Sequence, residues 1–272
     1  LLLASLAGPA RAGFDLEAQR KAFETAWRDA EAGIAAPAGG DAAALVDYPL
    51  YPYVEAARLR AALAGRARHE SAQPLDVAVA DFLGRHGSEP VSRLVRRPWL
   101  LRLAARQQWA NFLETYGQVG APDQPLRCLS LQARISLGAT DGLAEQATAE
   151  WLTPRSADEA CDPVFDWLRR RQLLGPSLVE QRARLALAAG EPGLARWLAK
   201  SLPEESAGPL RDWALLIETP RVAIDALIGA PGTAVEDEAV LDGWTRLARR
   251  DPQAAKDRFD ALAAARPQLS SR

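Results

Sequence analysis

Helix-length segments that end on glycine or proline dominate this chain and limit its fold more than any other feature. In the stretch Arg93–Arg106 apolar residues recur three and four positions apart, the period of one helix face. Alternating segments joined by Asn-Gly or Asp-Gly turns between β-branched runs are missing. Ala, Leu, Arg and Glu fill the outward positions as well, so local propensity agrees with the pattern. The reading is an all-α chain with almost no sheet.

The helices also pair. In Leu103–Leu113, Ile135–Ala144, Leu185–Leu198 and Leu247–Ala255 an apolar helix closes on a polar break, and a second follows with Trp, Ala or Leu inward. The breaks fall near residues 107, 139, 191, 219 and 251, about 30 residues apart in three intervals and about 50 in the other. That spacing suits a degenerate stack of helical hairpins, a superhelical α-solenoid. Gly138 and Gly190 supply the left-handed residue that ends a helix. Pro192 and Pro252 stand where the first turn of the next helix has no partner for an N–H anyway.

The remaining numbers exclude other classes. With 33 Lys+Arg against 35 Asp+Glu, the net charge of −2 leaves no global footprint for nucleic acid. A chain that is 48% hydrophobic and holds eight Trp is too apolar for disorder. There is no Met, and Leu1-Leu2-Leu3-Ala4-Ser5-Leu6-Ala7 runs through Gly8-Pro9 into Ala10-Arg11-Ala12, a small-x-small pattern. Residues 1–12 are therefore expected to be the remnant of an export signal cut after Ala12, with Ala10 and Ala12 as its recognition positions, and residues 13–272 a helical domain. No later run reaches the ~18 apolar residues of a membrane span. Cys128 and Cys161 stand 33 positions apart, without the CxxC, His or carboxylate spacing of a metal site. After export one disulfide is the simplest account of them, two buried free thiols being the alternative. No metal and no cofactor are implied.

A first amphipathic helix is expected over about Asp15–Gly33, with Phe23 and Trp27 inward. Three of the four tyrosines follow in Tyr48-Pro49-Leu50-Tyr51-Pro52-Tyr53. Each residue before a proline is pushed to extended backbone, so this segment reads as a stiff aromatic bend leading into a helix from Pro52 to about Leu63.

That tyrosine-proline segment, Cys128 through Ala133, Cys161-Asp162-Pro163-Val164-Phe165-Asp166-Trp167-Leu168, and Leu194-Ala195-Arg196-Trp197-Leu198-Ala199 together resemble the N-terminal superhelical domain of soluble lytic murein transglycosylases. The likeness runs from about residue 14 to the end. It implies a U-shaped ring of helices, a disulfide between Cys128 and Cys161, a periplasmic monomer, and peptidoglycan glycan strands as the partner. In the family a linker and a lysozyme-like catalytic domain follow, and that domain cuts the MurNAc-GlcNAc bond to leave 1,6-anhydro-MurNAc ends. The present chain then reads as the non-catalytic part, holding glycan for that domain.

The family chemistry uses one glutamate in a Glu-Ser motif, first as acid on the leaving oxygen and then as base on the muramoyl hydroxyl. Ala67-Arg68-His69-Glu70-Ser71-Ala72 looks like that motif, yet it runs into Gln73-Pro74 and no Gly-Leu-Met-Gln-like segment follows, so no catalytic residue is assigned. His69 and His86 are the only histidines and have no nucleophile motif beside them. Trp99, Trp109, Trp151, Trp167 and Trp197 fall on inward helical positions and read as core. Arg96, Arg97, Arg102 and Arg106, with Arg93, are candidates to face glycan and attract stem-peptide carboxylates, against a plain reading as solvated, ion-paired helix faces. The alternative function is an exported helical-repeat scaffold that binds protein, which an apolar concave face would favour.

Overall fold

The computed structural model describes residues 16–65 and 73–269. The expected cleavage positions Ala10 and Ala12 and the string His69-Glu70-Ser71 lie outside the described residues. Among the described residues every regular element is a helix, as the periodicity asks. The chain divides between Ala121 and Pro122 into two compact units, where the sequence reads as one helical domain from residue 13.

The first unit holds α1 (Leu16–Glu31), the short α2 (Ala43–Val46), α3 (Tyr51–Gly65), α4 (Gln73–His86), α5 (Ser92–Ala105) and α6 (Trp109–Tyr116). Ala26 and Ala30 of α1 bury against Leu45, Val54 and Ala57, with Phe23 and Trp27 packed alongside. The aromatic bend lies between α2 and α3. Tyr48 sets its ring 5.3 Å from Phe23, and Tyr53 sits 6.4 Å from Trp27, so the tyrosines pin α1 onto the α3 side. The α3 helix starts at Tyr51 because Pro52 in its first turn has no N–H to lose. At the other end of the unit, α5 closes on Gln107, which takes the left-handed backbone (φ 55°) without being glycine.

The second unit holds α7 (Gln124–Ser136), α8 (Leu143–Trp151), α9 (Asp162–Arg170), α10 (Pro176–Ala188), α11 (Pro192–Ala199), α12 (Glu204–Glu218), α13 (Pro220–Gly229), α14 (Asp237–Arg250) and α15 (Pro252–Ala265). From α10 onward the helices form three hairpins, α10/α11, α12/α13 and α14/α15. Their first members pack in a row, α10 on α12 and α12 on α14, while α13 lies against α15. The breaks obey local rules. Gly138 (φ 74°) and Gly190 (φ 79°) close α7 and α10 in left-handed backbone that a Cβ would strain. Thr219 and Asp251 each precede a proline and take extended φ (−129° and −146°), which stops one helix and starts the next within a residue. Asp251 also accepts the Ala254 N–H at 3.0 Å, capping α15.

Cys128 of α7 and Cys161, in a 3₁₀ turn over Glu159–Cys161, form a buried disulfide with Cα atoms 4.9 Å apart, tying α7 to the residue that immediately precedes α9. Of the two accounts open in the sequence, the disulfide is the one realised. Closing a 33-residue loop limits the unfolded chain, an effect on the order of 3.5 kcal/mol. Replacing both cysteines by serine is expected to lower the second unit's unfolding free energy by about that amount, read from urea unfolding, with a steeper slope as the unfolded chain expands. Gly243 on α14 offers a second test: a Cβ built there meets the Leu216 side chain at 2.8 Å, closer than packing allows. Gly243→Ala is expected to cost about 1–3 kcal/mol by the same measurement, and Leu216→Ala in addition to recover part of it.

Candidate functional site

The residues expected to face glycan in the first unit are mostly inside it. Arg96 is buried and donates to Ser92 Oγ (3.1 Å), Gly87 O (2.9 Å) and Gln118 Oε1 (3.1 Å). Burial pushes its guanidinium below the usual arginine range. Arg102 is 1% exposed on the inner face of α5. Arg106 pairs with Asp76 at 2.6 Å and lies 5.4 Å from the Trp99 ring centre. These three are turned into the unit, Arg106 linking the end of α5 to α4, whereas Arg97 is exposed. The correction has a plain cause. Positions 92, 95, 96, 99, 102 and 103 share one face of α5, and that face is the buried one.

A cleft in this unit, about 690 Å³, has Asp41 and Arg58 in its wall. They satisfy each other. Arg58 donates Nη1 and Nη2 to Asp41 at 2.5 and 3.0 Å, and Tyr51 Oη donates at 2.8 Å. The Arg58 hydrogen bonds outweigh burial and hold the Asp41 carboxyl below its ordinary value.

The second unit has a cleft of a different kind, about 430 Å³. Its floor is Trp151, the last residue of α8, and Phe165 of α9, edge to face at 5.1 Å and both buried. Asp162 and Arg169 line it from the same face of α9, one turn either side of Phe165. Cys161 immediately precedes Asp162, so the disulfide holds this wall in place. From α11 comes Trp197, which is 55% exposed and corrects its reading as core. Trp99, Trp151 and Trp167 are buried as expected, and Trp109 is half-buried. Helix α11 turns Ala195, Leu198 and Ala199 inward, which leaves position 197 on the opposite side.

Beneath the cleft lies a residue the sequence reading passed over. Arg182 of α10 is 4% exposed, its Cζ 4.1 Å from the Trp151 ring centre and 5.6 Å from that of Phe165. Burial lowers its pKa. A signal for it existed: Val179, Arg182, Ala183, Ala186 and Leu187 share one helical stripe, so a cation stands where the pattern asks for an apolar residue. The cleft combines an exposed indole, a buried aromatic floor and a cation, a surface suited to the apolar face of a sugar and to an anionic substituent. Among the described residues no cluster has the makings of a metal site, and no helix is long and apolar enough to cross a membrane.

Comparison with known proteins places this architecture. No family model matches the chain. It is 32% identical over 165 residues to the soluble lytic murein transglycosylase of Salmonella typhimurium, covering 59% of this chain and 24% of that protein. It is 26% identical over 225 residues to the Escherichia coli K12 protein of the same name, covering 81% and 33%. The chain thus spans about a quarter to a third of the curated relatives it matches. The crystal structure of the 70 kDa soluble lytic transglycosylase from Escherichia coli superposes with a TM-score of 0.64 at 23% identity, over 92% of this chain and 39% of that one. An inactive mutant of lytic transglycosylase Slt from Pseudomonas aeruginosa gives 0.61 at 25% identity, over 90% and 38%. The helical fold is the superhelical one that the resemblance implies.

The Asp41–Arg58 pair sets a pH dependence for the first unit. A carboxyl held below its unfolded value of 3.8 adds stability that is present above that pH and is lost as pH falls through the folded value. Asp41→Asn is expected to destabilise the unit at pH 6, and the difference to shrink as pH is lowered below 3.8, measured as Tm against pH.

Proposed function

We propose that this chain, a homologue of part of the soluble lytic murein transglycosylases, holds peptidoglycan glycan strands in the periplasm for a lysozyme-like domain of the same protein to cut. The kinship with proteins named for acting on murein supports the substrate class. The observation that carries the holding role is the second unit's cleft, where Trp197 offers an open indole beside a floor fixed by the disulfide. A sugar ring lays its C–H face on an indole, and that contact needs no chemistry from the protein. The cleft's carboxylates are left with structural work. Glu191 lies 3.7 Å from Arg155, and Asp162 occupies the first turn of α9, where the helix dipole favours its charge. The buried disulfide suits an oxidising compartment.

Retention of the chain on purified sacculi, scored together with release of anhydro-muropeptides, tests this reading. Binding without release is expected. Trp197→Ala should weaken retention about three- to ten-fold, the range of one aromatic contact, at unchanged Tm. Release of anhydro ends that Glu70→Gln abolishes would overturn the reading and make this chain the cutting part. Absence of retention would favour the protein-binding scaffold.

A further inference from the structure

Two arginines stand two residues apart on α10 and are treated in opposite ways. Arg184 donates Nη1 and Nη2 to Glu236 at 2.6 Å each and Nε to Glu180 at 3.1 Å. Arg182 is more deeply buried and, among the described residues, has no carboxylate within ion-pair distance. Its Nη2 has one long hydrogen bond, 3.4 Å, to the Arg155 carbonyl, and its Nε is sealed from solvent with no acceptor. The Trp151 indole N–H, in the same wall, is likewise sealed without an acceptor. Buried donors are normally satisfied, and a buried cation is normally paired. Two such exceptions, Arg182 Nε and Trp151 Nε1, meet in the wall of a cleft of about 430 Å³.

The neighbouring charges do not supply the missing partner. Of the other ionisable residues lining the cleft, Arg169 is engaged by Asp166, Glu191 lies 3.7 Å from Arg155, and Asp162 forms no ion pair with Arg182. The stack on Trp151 and Phe165 partly offsets the desolvation of the guanidinium, but a π face supplies no lone pair to its N–H groups. An anionic oxygen arriving through the cleft would meet Arg182 where its side chain lines the wall and would balance the buried charge.

We propose that the Arg182 cleft is a carboxylate-binding subsite for an acidic saccharide, with the ring of the sugar against Trp197 and its carboxylate on the Arg182 guanidinium. The ligand class rests on the glycan-holding reading above. Peptidoglycan offers that chemistry from two sources, the lactyl carboxylate of a muramoyl residue without its peptide and the free carboxylates of a stem peptide. A neutral GlcNAc oligomer offers none.

Titration of the whole chain with three probes, followed by calorimetry, tests the proposal: GlcNAc-MurNAc, GlcNAc-MurNAc carrying a stem peptide, and neutral chitobiose. At least one acidic probe is expected to bind about ten-fold or more tighter than chitobiose, the margin of one hydrogen-bonded charge pair. Whichever acidic probe shows the preference identifies the source of the carboxylate. Arg182→Met should bring the acidic probes down to the level of chitobiose in the same variant, with Tm unchanged or raised, since an uncompensated buried charge is lost. A second readout needs no variant. In the wild-type chain the preference should fade as pH falls through the ligand carboxyl's value near about 4. Equal binding of all three probes, or a preference that survives Arg182→Met, would overturn the subsite and leave the glycan-holding reading intact. No binding of any probe with sacculi still retained would also overturn the subsite alone, whereas loss of both would overturn the two readings together.

Discussion

A hairpin of two short helices cannot bury its own apolar stripe, and every hairpin here depends on the next to cover it. In the second unit α10, α12 and α14 meet this need in a row, with Ala183, Ala186, Ala207, Ala214 and Ala239 buried on these helices and Gly243 admitting Leu216. Small residues bring helix axes close, so the fit is short-ranged and specific. Polar links then run along the rim: Ser206 donates to Glu180, Arg184 joins Glu180 to Glu236, and Trp213 Nε1 donates to Asp242. Partly exposed pairs of this kind contribute little on their own, and their value lies in fixing which hairpin sits opposite which.

The cleft exists because this repeat is interrupted between α8 and α10. A nine-residue helix such as α9 is marginal alone. It is held by Val164, Phe165, Trp167 and Leu168 in the core and by the disulfide at its start. The pairing with Cys128 thereby positions Phe165 under Trp151, and the two rings receive Arg182. The geometry of the cleft follows from a covalent bond made one residue before the helix.

Much of this was legible in the sequence. Residues at which chain direction changes announce themselves locally, through Gly138, Gly190, Pro192 and Pro252, and the breaks near 107, 139, 191, 219 and 251 fall between helices in the structure. Side-chain facing was harder to read. On α5 the apolar stripe carries Arg96 and Arg102 inside with it, because a long side chain can bury its stem and still reach backbone acceptors such as Gly87 O. On α11 the apolar residue Trp197 faces out, since Ala195, Leu198 and Ala199 already fill the inner side. Residue type misled for the arginines of α5, and helical phase was misassigned for Trp197 of α11. Arg182 was missed because its partner rings, Trp151 and Phe165, come from two other helices that no local pattern connects to it. The division at Ala121/Pro122 has no marker in composition stronger than the Gly120-Ala121-Pro122 punctuation found elsewhere in the chain.

A row of hairpins in which each touches chiefly its neighbours is a zipper, able to open from its end one pair at a time. The bond between Cys128 and Cys161 is the clasp on that zipper. Fraying that begins at α15 and runs inward can separate α14 from α12 and α12 from α10, yet α7 and the start of α9 remain linked as a closed ring. Their effective concentration for each other stays high, so the cleft wall is the part of the unit from which re-zipping starts.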